Sequence, residues 1–173
     1  HFLVNPGALR RIVAAADLTP SDTVIEVGPG LGVMTRELSR CAGRVIAVEA
    51  DRQLAEALPE ILHGLDNVTV VQSDVLETDP ASLLGVDHPD TAAPSYKVVA
   101  NIPYYITSPI LRHFLEARWK PSLIVVLVQK EVGQAIVALP GDLGILAVSI
   151  QFYGKPSIAV SYTHLTLPTN REV

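Results

Sequence analysis

The sequence predicts an α/β domain in which a mostly parallel β-sheet carries helices on both faces. Two observations predict it. Short β-branched runs alternate along the chain with segments of helical periodicity, and glycine-rich or polar segments directly follow the runs. Sheets of this kind bind ligands at the carboxyl ends of their strands. We therefore expect the functional residues to follow the strands.

The first half of the chain supplies three of the predicted strands. Asn5 can cap a first helix that has Pro6 at its first position and apolar residues at helical spacing up to Ala16. β-Branched or apolar runs that end at glycine or polar residues predict strands at 23–27, 44–49 and 68–71. Helices are predicted between them, at 33–38 and 52–62.

The second half continues the alternation after a loop. The segment 79–95 contains Pro80, Pro89 and Pro94, which predict a loop with at most a turn of helix near 82–84. Apolar runs predict a fourth strand at 96–100 and a fifth at 123–128. Ser108 and Pro109 open a helix that ends near 118, and another helix is predicted at 131–137. The apolar run 145–152 predicts a sixth strand.

The composition indicates one globular domain with no membrane segment. The 173 residues are 49% hydrophobic and 18% charged, which suffices for a buried core in a single domain. The apolar runs are too short to span a membrane, which takes about 20 residues. The single cysteine, Cys41, excludes an internal disulfide and fits a cytoplasmic location. A net charge of −5 argues mildly against a nucleic-acid partner.

The segment after the first strand indicates a nucleotide site. It contains Gly28, Gly30 and Gly32, which allow a tight turn and a close approach of the backbone to a ligand. A dinucleotide fingerprint would need glycine at position 33, where the chain has Val33. The spacing therefore disfavours an NAD site. A tight turn without a ligand remains the alternative.

Acidic residues follow the next two strands. Glu49 ends the second strand about twenty residues after the glycine loop, where a carboxylate can accept hydrogen bonds from ribose hydroxyls. Asp74 follows the third strand and could accept from the amine of an adenine. The alternative for either residue is a solvated surface charge. Their order after successive strands favours the binding roles.

Asn101, Ile102, Pro103 and Tyr104 follow the fourth strand and indicate amine methylation. The exocyclic amine of adenine is a poor nucleophile because its lone pair is delocalised into the ring. The side-chain oxygen of Asn101 and a nearby carbonyl, such as that of Ile102, can each accept an N–H and direct the lone pair at a methyl donor. Pro103 stiffens the turn, and Tyr104 offers a face for stacking. The alternative is a turn with packed tyrosines.

These motifs together resemble the ribosomal RNA adenine N6-dimethyltransferase family of KsgA type. The matching stretches are His1-Phe2-Leu3, Glu26 to Gly32, Val48 to Asp51, Gln72 to Asp74, Asn101 to Ile106, Val128 to Val132 and Gln151 to Gly154. The resemblance implies a Rossmann-like class I fold, S-adenosylmethionine as methyl donor, and dimethylation of two adjacent adenines near the 3′ end of small-subunit (16S) rRNA. It implies direct transfer without a metal, and we expect a cytoplasmic monomer.

The resemblance also implies roles for individual residues. His1 and Leu3 would contact the cofactor, Gly28 with Gly30 of the same loop would lie against its amino-acid part, and Glu49 would hold the ribose. Asp74 would bind the adenine amine, and Asn101 would serve both the methyl donor and the target amine. The target base must leave its stack to reach such a pocket.

The resemblance covers residues 1–158, which we expect to form the methyltransferase domain. The family continues with a small helical domain that we expect to be missing here. Residues 159–173 match nothing in the family and resemble translated adapter sequence, so we expect an artefactual, poorly ordered tail.

Two other functions remain open from the sequence. The related methyltransferases of large-subunit rRNA, which confer macrolide resistance, share the motif set. An RNA-binding assembly factor could keep the fold without the activity, although Asn101, Tyr104 and Glu49 argue against lost chemistry. An NAD-dependent oxidoreductase is disfavoured by Val33 and by the segment after the fourth strand.

Overall fold

The computed structural model describes residues 6–86 and 94–159, which form a five-stranded parallel sheet with seven α-helices. The strands are β1 (Thr23–Val27), β2 (Arg44–Glu49), β3 (Val68–Gln72), β4 (Lys97–Asn101) and β5 (Leu123–Leu127). The helices are α1 (Pro6–Ala15), α2 (Val33–Cys41), α3 (Arg52–Ile61), α4 (Pro80–Leu84), α5 (Thr107–Glu116), α6 (Lys130–Ile136) and α7 (Ile145–Gln151). The 3-10 turns Val75–Glu77 and Tyr104–Ile106 follow β3 and β4.

The strand order is β3-β2-β1-β4-β5, and every pair of neighbours is parallel. The chain therefore builds outward from β1 to β3 and then returns to place β4 on the other side of β1. This reversal makes β1 and β4 the topological switch point of the sheet, where α/β folds bind ligands.

Alternating side chains of the strands bury apolar surface on both faces of the sheet. On one face, Ile25 and Val98 pack with Phe114 of α5 and Leu83 of α4. On the other face, Val24, Val45 and Val99 pack with side chains of α1 and α2, which are Leu9, Ile12, Met34 and Leu38. The predicted α/β fold with helices on both faces is confirmed.

The predicted sixth strand is wrong, because the apolar run after Gly144 forms α7. Ala147 and Ile150 lie three residues apart and are both buried, and Ile150 packs with Leu111 of α5 and Ile136 of α6. A spacing of three places them on one face of a helix, whereas a strand would turn them to opposite faces. Periodicity alone does not separate a short apolar strand from a buried helix.

The other predicted elements differ from the structure mainly at their ends. Helix α2 ends at Cys41, three residues beyond its predicted end. The turn of helix expected near 82–84 is α4, and the side chain of Asp79 caps it by accepting from the N–H of Ala81. No helix among the described residues is long and apolar enough to cross a membrane. The tail predicted at 159–173 lies outside the described residues from position 160 onward.

Candidate functional site

The site lies at the carboxyl edge of the sheet, where β1 and β4 end side by side. Val27, the last residue of β1, is paired with Ala100 of β4, so Gly28, which follows β1, and Asn101, the last residue of β4, come next at the same edge of the sheet. Adjacent strands lie about 4.8 Å apart. The glycine loop and the Asn-Ile-Pro-Tyr segment, distant in the sequence, therefore flank one crevice.

The glycine loop between β1 and α2 uses a backbone conformation that favours glycine. Gly28 and Gly30 have φ values of 71° and 57°. A Cβ atom at Gly28 would meet no heavy atom within 4 Å, so its backbone conformation is what calls for glycine. The N–H of Gly28 donates to the carbonyl oxygen of Val48 at 3.0 Å, which joins the loop to β2. The loop thus leaves open space where a ligand can approach the backbone.

Glu49 is buried at the end of β2 and holds the glycine loop. Its side chain accepts from the N–H of Gly30 at 3.1 Å through Oε2 and from the N–H of Asp51 at 3.0 Å through Oε1. The residue is 7% exposed. An ionised carboxylate has about four acceptor positions, so these two bonds leave capacity for the hydroxyls of a ribose. Glu49 is thus both a structural acceptor of the loop and the residue predicted to bind the ribose.

Asp74 lies at the same edge, one strand further out. Its Oδ1 atom accepts from the N–H of Leu76 at 2.9 Å and caps the short 3-10 turn that follows β3. The N–H of Ser73 donates to the carbonyl of Glu49 at 3.0 Å, which links the ends of β2 and β3. Asp74 is exposed and so can be reached by a ligand at this edge.

The segment after β4 folds back immediately into α5. The N–H of Ile102 donates to the carbonyl of Leu127 at 3.3 Å, which extends the β4–β5 pairing by one residue. The carbonyl of Pro103 accepts from the N–H of Ile106 and from Oγ1 of Thr107, at 3.2 and 3.1 Å. Because the carbonyl oxygen of Pro103 already accepts these two hydrogen bonds, the carbonyl of Ile102 is the better candidate acceptor for a substrate amine.

Some predicted site residues fall outside what the structure describes. His1 and Leu3 precede the described residues, and the side chain of Tyr104 is not described. Among residues 6–86 and 94–159, no group of three or more His, Cys, Asp or Glu side chains could hold a metal ion.

Sequence reasoning gave no role to Glu26, the next-to-last residue of β1. Its side chain is 0% exposed, and neither carboxyl oxygen has a hydrogen-bond partner among the described residues. Burial, together with the nearby charge of Glu49, raises the pKa of Glu26 to about 8. The available signal was a lone acidic residue within an apolar strand, between Ile25 and Val27.

This arrangement defines a class of protein. A parallel sheet in this order, with a glycine loop after β1, a buried acid ending β2 and Asn-Ile-Pro-Tyr beginning at the last residue of β4, has the Rossmann-like fold of S-adenosylmethionine-dependent methyltransferases. The chain belongs to the ribosomal RNA adenine dimethylase family, whose model matches residues 1–155. The enzymes of this family take the methyl group from S-adenosylmethionine, which is the cofactor predicted from the sequence.

Known proteins with similar sequences agree with this family. The ribosomal RNA small subunit methyltransferase A of Dehalococcoides mccartyi is 56% identical over 158 residues, which are 91% of this chain and 52% of the relative. The corresponding protein of Moorella thermoacetica is 47% identical over 166 residues, which are 92% of this chain and 57% of the relative. The chain spans about half the length of the curated relatives it matches.

A solved structure is also similar. A dimethyladenosine transferase from Plasmodium falciparum superposes with a TM-score of 0.72 at 28% identity, covering 87% of this chain and 52% of that one.

Proposed function

We propose that this chain is the cofactor-binding and catalytic part of an enzyme that dimethylates the N6 amine of adenine in small-subunit rRNA. The observation that carries the proposal is the register of β1 with β4, which brings Gly28 and Asn101 to the same edge of the sheet as the buried Glu49. The family supports the substrate class, and the common position of these residues at one edge of the sheet supports the roles proposed for them.

The glycine loop and the acidic residues beside it form the cofactor-binding side of the proposed site. The open backbone at Gly28 receives the amino-acid part of S-adenosylmethionine, with Gly30 in the same loop. The unused acceptor positions of Glu49 bind the ribose hydroxyls, and Asp74 binds the adenine amine. When bound, the cofactor supplies an electrophilic methyl group on its sulfonium.

The base side follows from the segment after β4. The side-chain oxygen of Asn101 and the carbonyl of Ile102 accept the two N–H bonds of the target amine, which aims the nitrogen lone pair at the methyl group. With S-adenosylmethionine bound, Asn101 and Ile102 would hold the amine in place for methylation, and the proton that the nitrogen loses would go to solvent. Pro103 holds the turn, and Tyr104 stacks on the extruded base.

The finer substrate rests on the relatives. We propose two adjacent adenines near the 3′ end of 16S rRNA, within a small-subunit particle that is being assembled. This would give the enzyme a role in ribosome biogenesis, as a cytoplasmic monomer.

A second candidate is methylation of large-subunit rRNA. The 23S rRNA methyltransferase ErmE has a solved structure that superposes with a TM-score of 0.67 at 34% identity, covering 79% of this chain and 51% of that one. The two functions use the same chemistry and differ in the RNA, so the substrate separates them.

The test is transfer of a labelled methyl group to two RNAs. Residues 1–155 would replace the matching part of the Dehalococcoides mccartyi relative, because this chain spans only about half of that protein. We expect the chimera to label 16S rRNA in undermethylated small-subunit particles and to leave protein-free 23S rRNA unlabelled. The reverse pattern would favour the second candidate. Binding of the particle without any transfer would favour an assembly factor that has lost the activity.

A further inference from the structure

Two buried polar groups, Glu26 of β1 and Thr35 of α2, have no part in the proposed chemistry. Both residues are 0% exposed. Both carboxyl oxygens of Glu26 and the hydroxyl oxygen of Thr35 are without a hydrogen-bond partner among the described residues. Buried polar groups without partners are rare in native proteins and call for a physical explanation.

These two groups lie on either side of the glycine loop. Glu26 precedes Gly28 by two residues, and Thr35 follows Gly32 by three. Thr35 is buried on α2 together with Met34 and Leu38, which pack with Val24 on the face of β1 that also carries Glu26. The hydroxyl of Thr35 lowers the pKa of Glu26, which is consistent with this proximity, although no hydrogen bond joins the two side chains. A bond between them would join the end of β1 to the first turn of α2, beneath the loop.

The surroundings of Glu26 disfavour its ionised form. Its register partners are Ala47 of β2 and Val99 of β4, which are apolar. The side chains on the same face from α1 and α2 include Leu9, Ile12, Met34 and Leu38. The charged group that acts on it is Glu49 of β2, which has the same sign. With burial as the larger cause, these surroundings raise the pKa of Glu26 from 4.5 to about 8.

We infer that Glu26 is a positioning residue that works as a neutral carboxyl: it donates a hydrogen bond to Oγ1 of Thr35 and holds α2 against β1, so that the glycine loop keeps its cofactor-binding shape. Glu49 holds the same loop from β2 through the N–H of Gly30. The loop is thus held by one carboxyl group from β1 and one from β2. This inference rests on the proposed use of S-adenosylmethionine.

The sign of the pH dependence follows from the raised pKa. In the unfolded chain the pKa of Glu26 is near 4.5, whereas in the folded chain the pKa is raised to about 8. Between these two values the folded state binds more protons, so its stability falls as the pH rises. Above about pH 8 the carboxyl of the folded protein also ionises. Because binding of the cofactor then requires Glu26 to take up a proton, the affinity for the cofactor falls as the pH rises.

The test measures the affinity for S-adenosylhomocysteine by calorimetry between pH 6 and about 9.5, and the urea unfolding of the unliganded chain between about pH 5 and 8. We expect the wild-type affinity to fall by about tenfold over the alkaline range. Glu26→Gln, which keeps a neutral donor, should lose that part of the pH dependence while its affinity at pH 7 stays within about threefold of wild type. Its unfolding free energy should also lose the decline seen in wild type.

Two variants remove the interaction itself. Thr35→Val deletes the hydroxyl with little change in volume and should weaken binding at pH 7 by about tenfold, the usual effect of one buried group left without a partner. Thr35→Ser should restore most of the affinity. Glu56→Gln neutralises an exposed carboxyl on α3 and is the matched control, with the pH profile of wild type.

The outcomes separate this inference from the cofactor assignment. A Glu26→Gln variant that loses more than about tenfold in affinity at pH 7 would overturn the inference, because it would indicate an ionised Glu26 paired with the ammonium of the ligand. Identical pH profiles of affinity in wild type and Glu26→Gln would also overturn it. If the wild type bound no S-adenosylhomocysteine at any pH, the cofactor assignment would fail together with the inference.

Discussion

The two sides of the crevice differ in how much of their structure is fixed by hydrogen bonds and burial within the protein. On the β1–β2 side, Glu49 is 7% exposed and holds two backbone N–H groups, so the glycine loop is fixed by internal bonds. On the β4–β5 side, Tyr105 is 69% exposed, and every residue of β5 is only partly buried. The first side is preorganised by internal bonds, whereas the second is more exposed. In the proposed function the first side binds the cofactor and the second receives the RNA. Changes on the first side should therefore alter cofactor affinity, and changes on the second should alter transfer.

The strongest test of this division is the variant Asn101→Ala on the β4–β5 side. The variant removes an acceptor that acts on the target amine during transfer, and loss of one such group typically costs about 10²–10³-fold in rate. We expect methyl transfer by the chimera to fall by at least that factor, while calorimetry finds the affinity for S-adenosylhomocysteine within about fivefold of wild type. The control is Glu56→Gln. Undiminished transfer by the alanine variant would refute the role of Asn101.

On the preorganised side, Glu49→Gln should lower cofactor affinity more than any other single change. The amide presents an NH₂ group where the carboxylate now accepts from Gly30 or Asp51. Hydrogen bonds to charged groups contribute about 1.5–3 kcal/mol, so we expect affinity to fall by about 10- to 100-fold. Calorimetry with S-adenosylhomocysteine measures the loss. An affinity equal to wild type would mean that the carboxylate neither shapes the loop nor contacts the ligand.

Gly28→Ala tests the loop conformation separately from its acceptors. The φ of 71° places Gly28 in the left-handed region, where a side chain costs about 1–2 kcal/mol, and the new methyl group projects into open space at the site. We expect cofactor affinity to fall by about tenfold. Gly144→Ala is the matched control, because Gly144 has a φ of −79° and a Cβ there would meet nothing within 4 Å. Equal losses in the two variants would contradict this account.

The smallest functional effect is expected at the opposite edge of the sheet. Asp22 accepts from the N–H of Thr19 at 2.7 Å and from Nζ of Lys97 at 3.1 Å, and these bonds hold its pKa below 3.8. Asp22→Asn should cost about 1 kcal/mol of stability near neutral pH, or about 2–4 °C in Tm, and should leave cofactor affinity unchanged.

The pH dependence of that effect has a definite sign. A carboxyl with a lowered pKa stabilises the folded state above its unfolded pKa of 3.8 and loses the contribution as the pH falls below it. The difference in Tm between Asp22→Asn and wild type should therefore shrink below about pH 4. A difference that stayed constant down to pH 2 would exclude the ionised pair as its source.

The sequence predicted the strands better than the contacts between them. β1 and β2 have the predicted ends because glycine follows Val27 and a polar segment follows Glu49. Those local signals also located Gly28, Glu49, Asp74 and Asn101 at one edge. The bond between Gly30 and Glu49 could not be predicted, because it depends on the register of β1 with β2.

Two features were not predicted from the sequence because they depend on contacts with other elements of the fold. The run 145–152 has the composition of a strand, and only its packing on α5 and α6 shows that it is a helix. The acidic residue within an apolar run was visible at Glu26, but its complete burial depends on helices packed on the sheet, which the strand's own sequence does not show. In both cases the deciding partner comes from another element of the fold.

The return of the chain to β4 also sets the entropy cost of closing the sheet. Pairing of β4 with β1 joins segments about 70 residues apart, whereas β1 and β2 pair across about 20. Closing the longer loop costs more entropy, and non-local pairing slows folding. The contact between the glycine loop and Glu49 therefore needs only the shorter closure, whereas the crevice also needs β4 to pair with β1. A ligand in the crevice binds only the state in which β4 is paired with β1, and so stabilises that pairing by mass action.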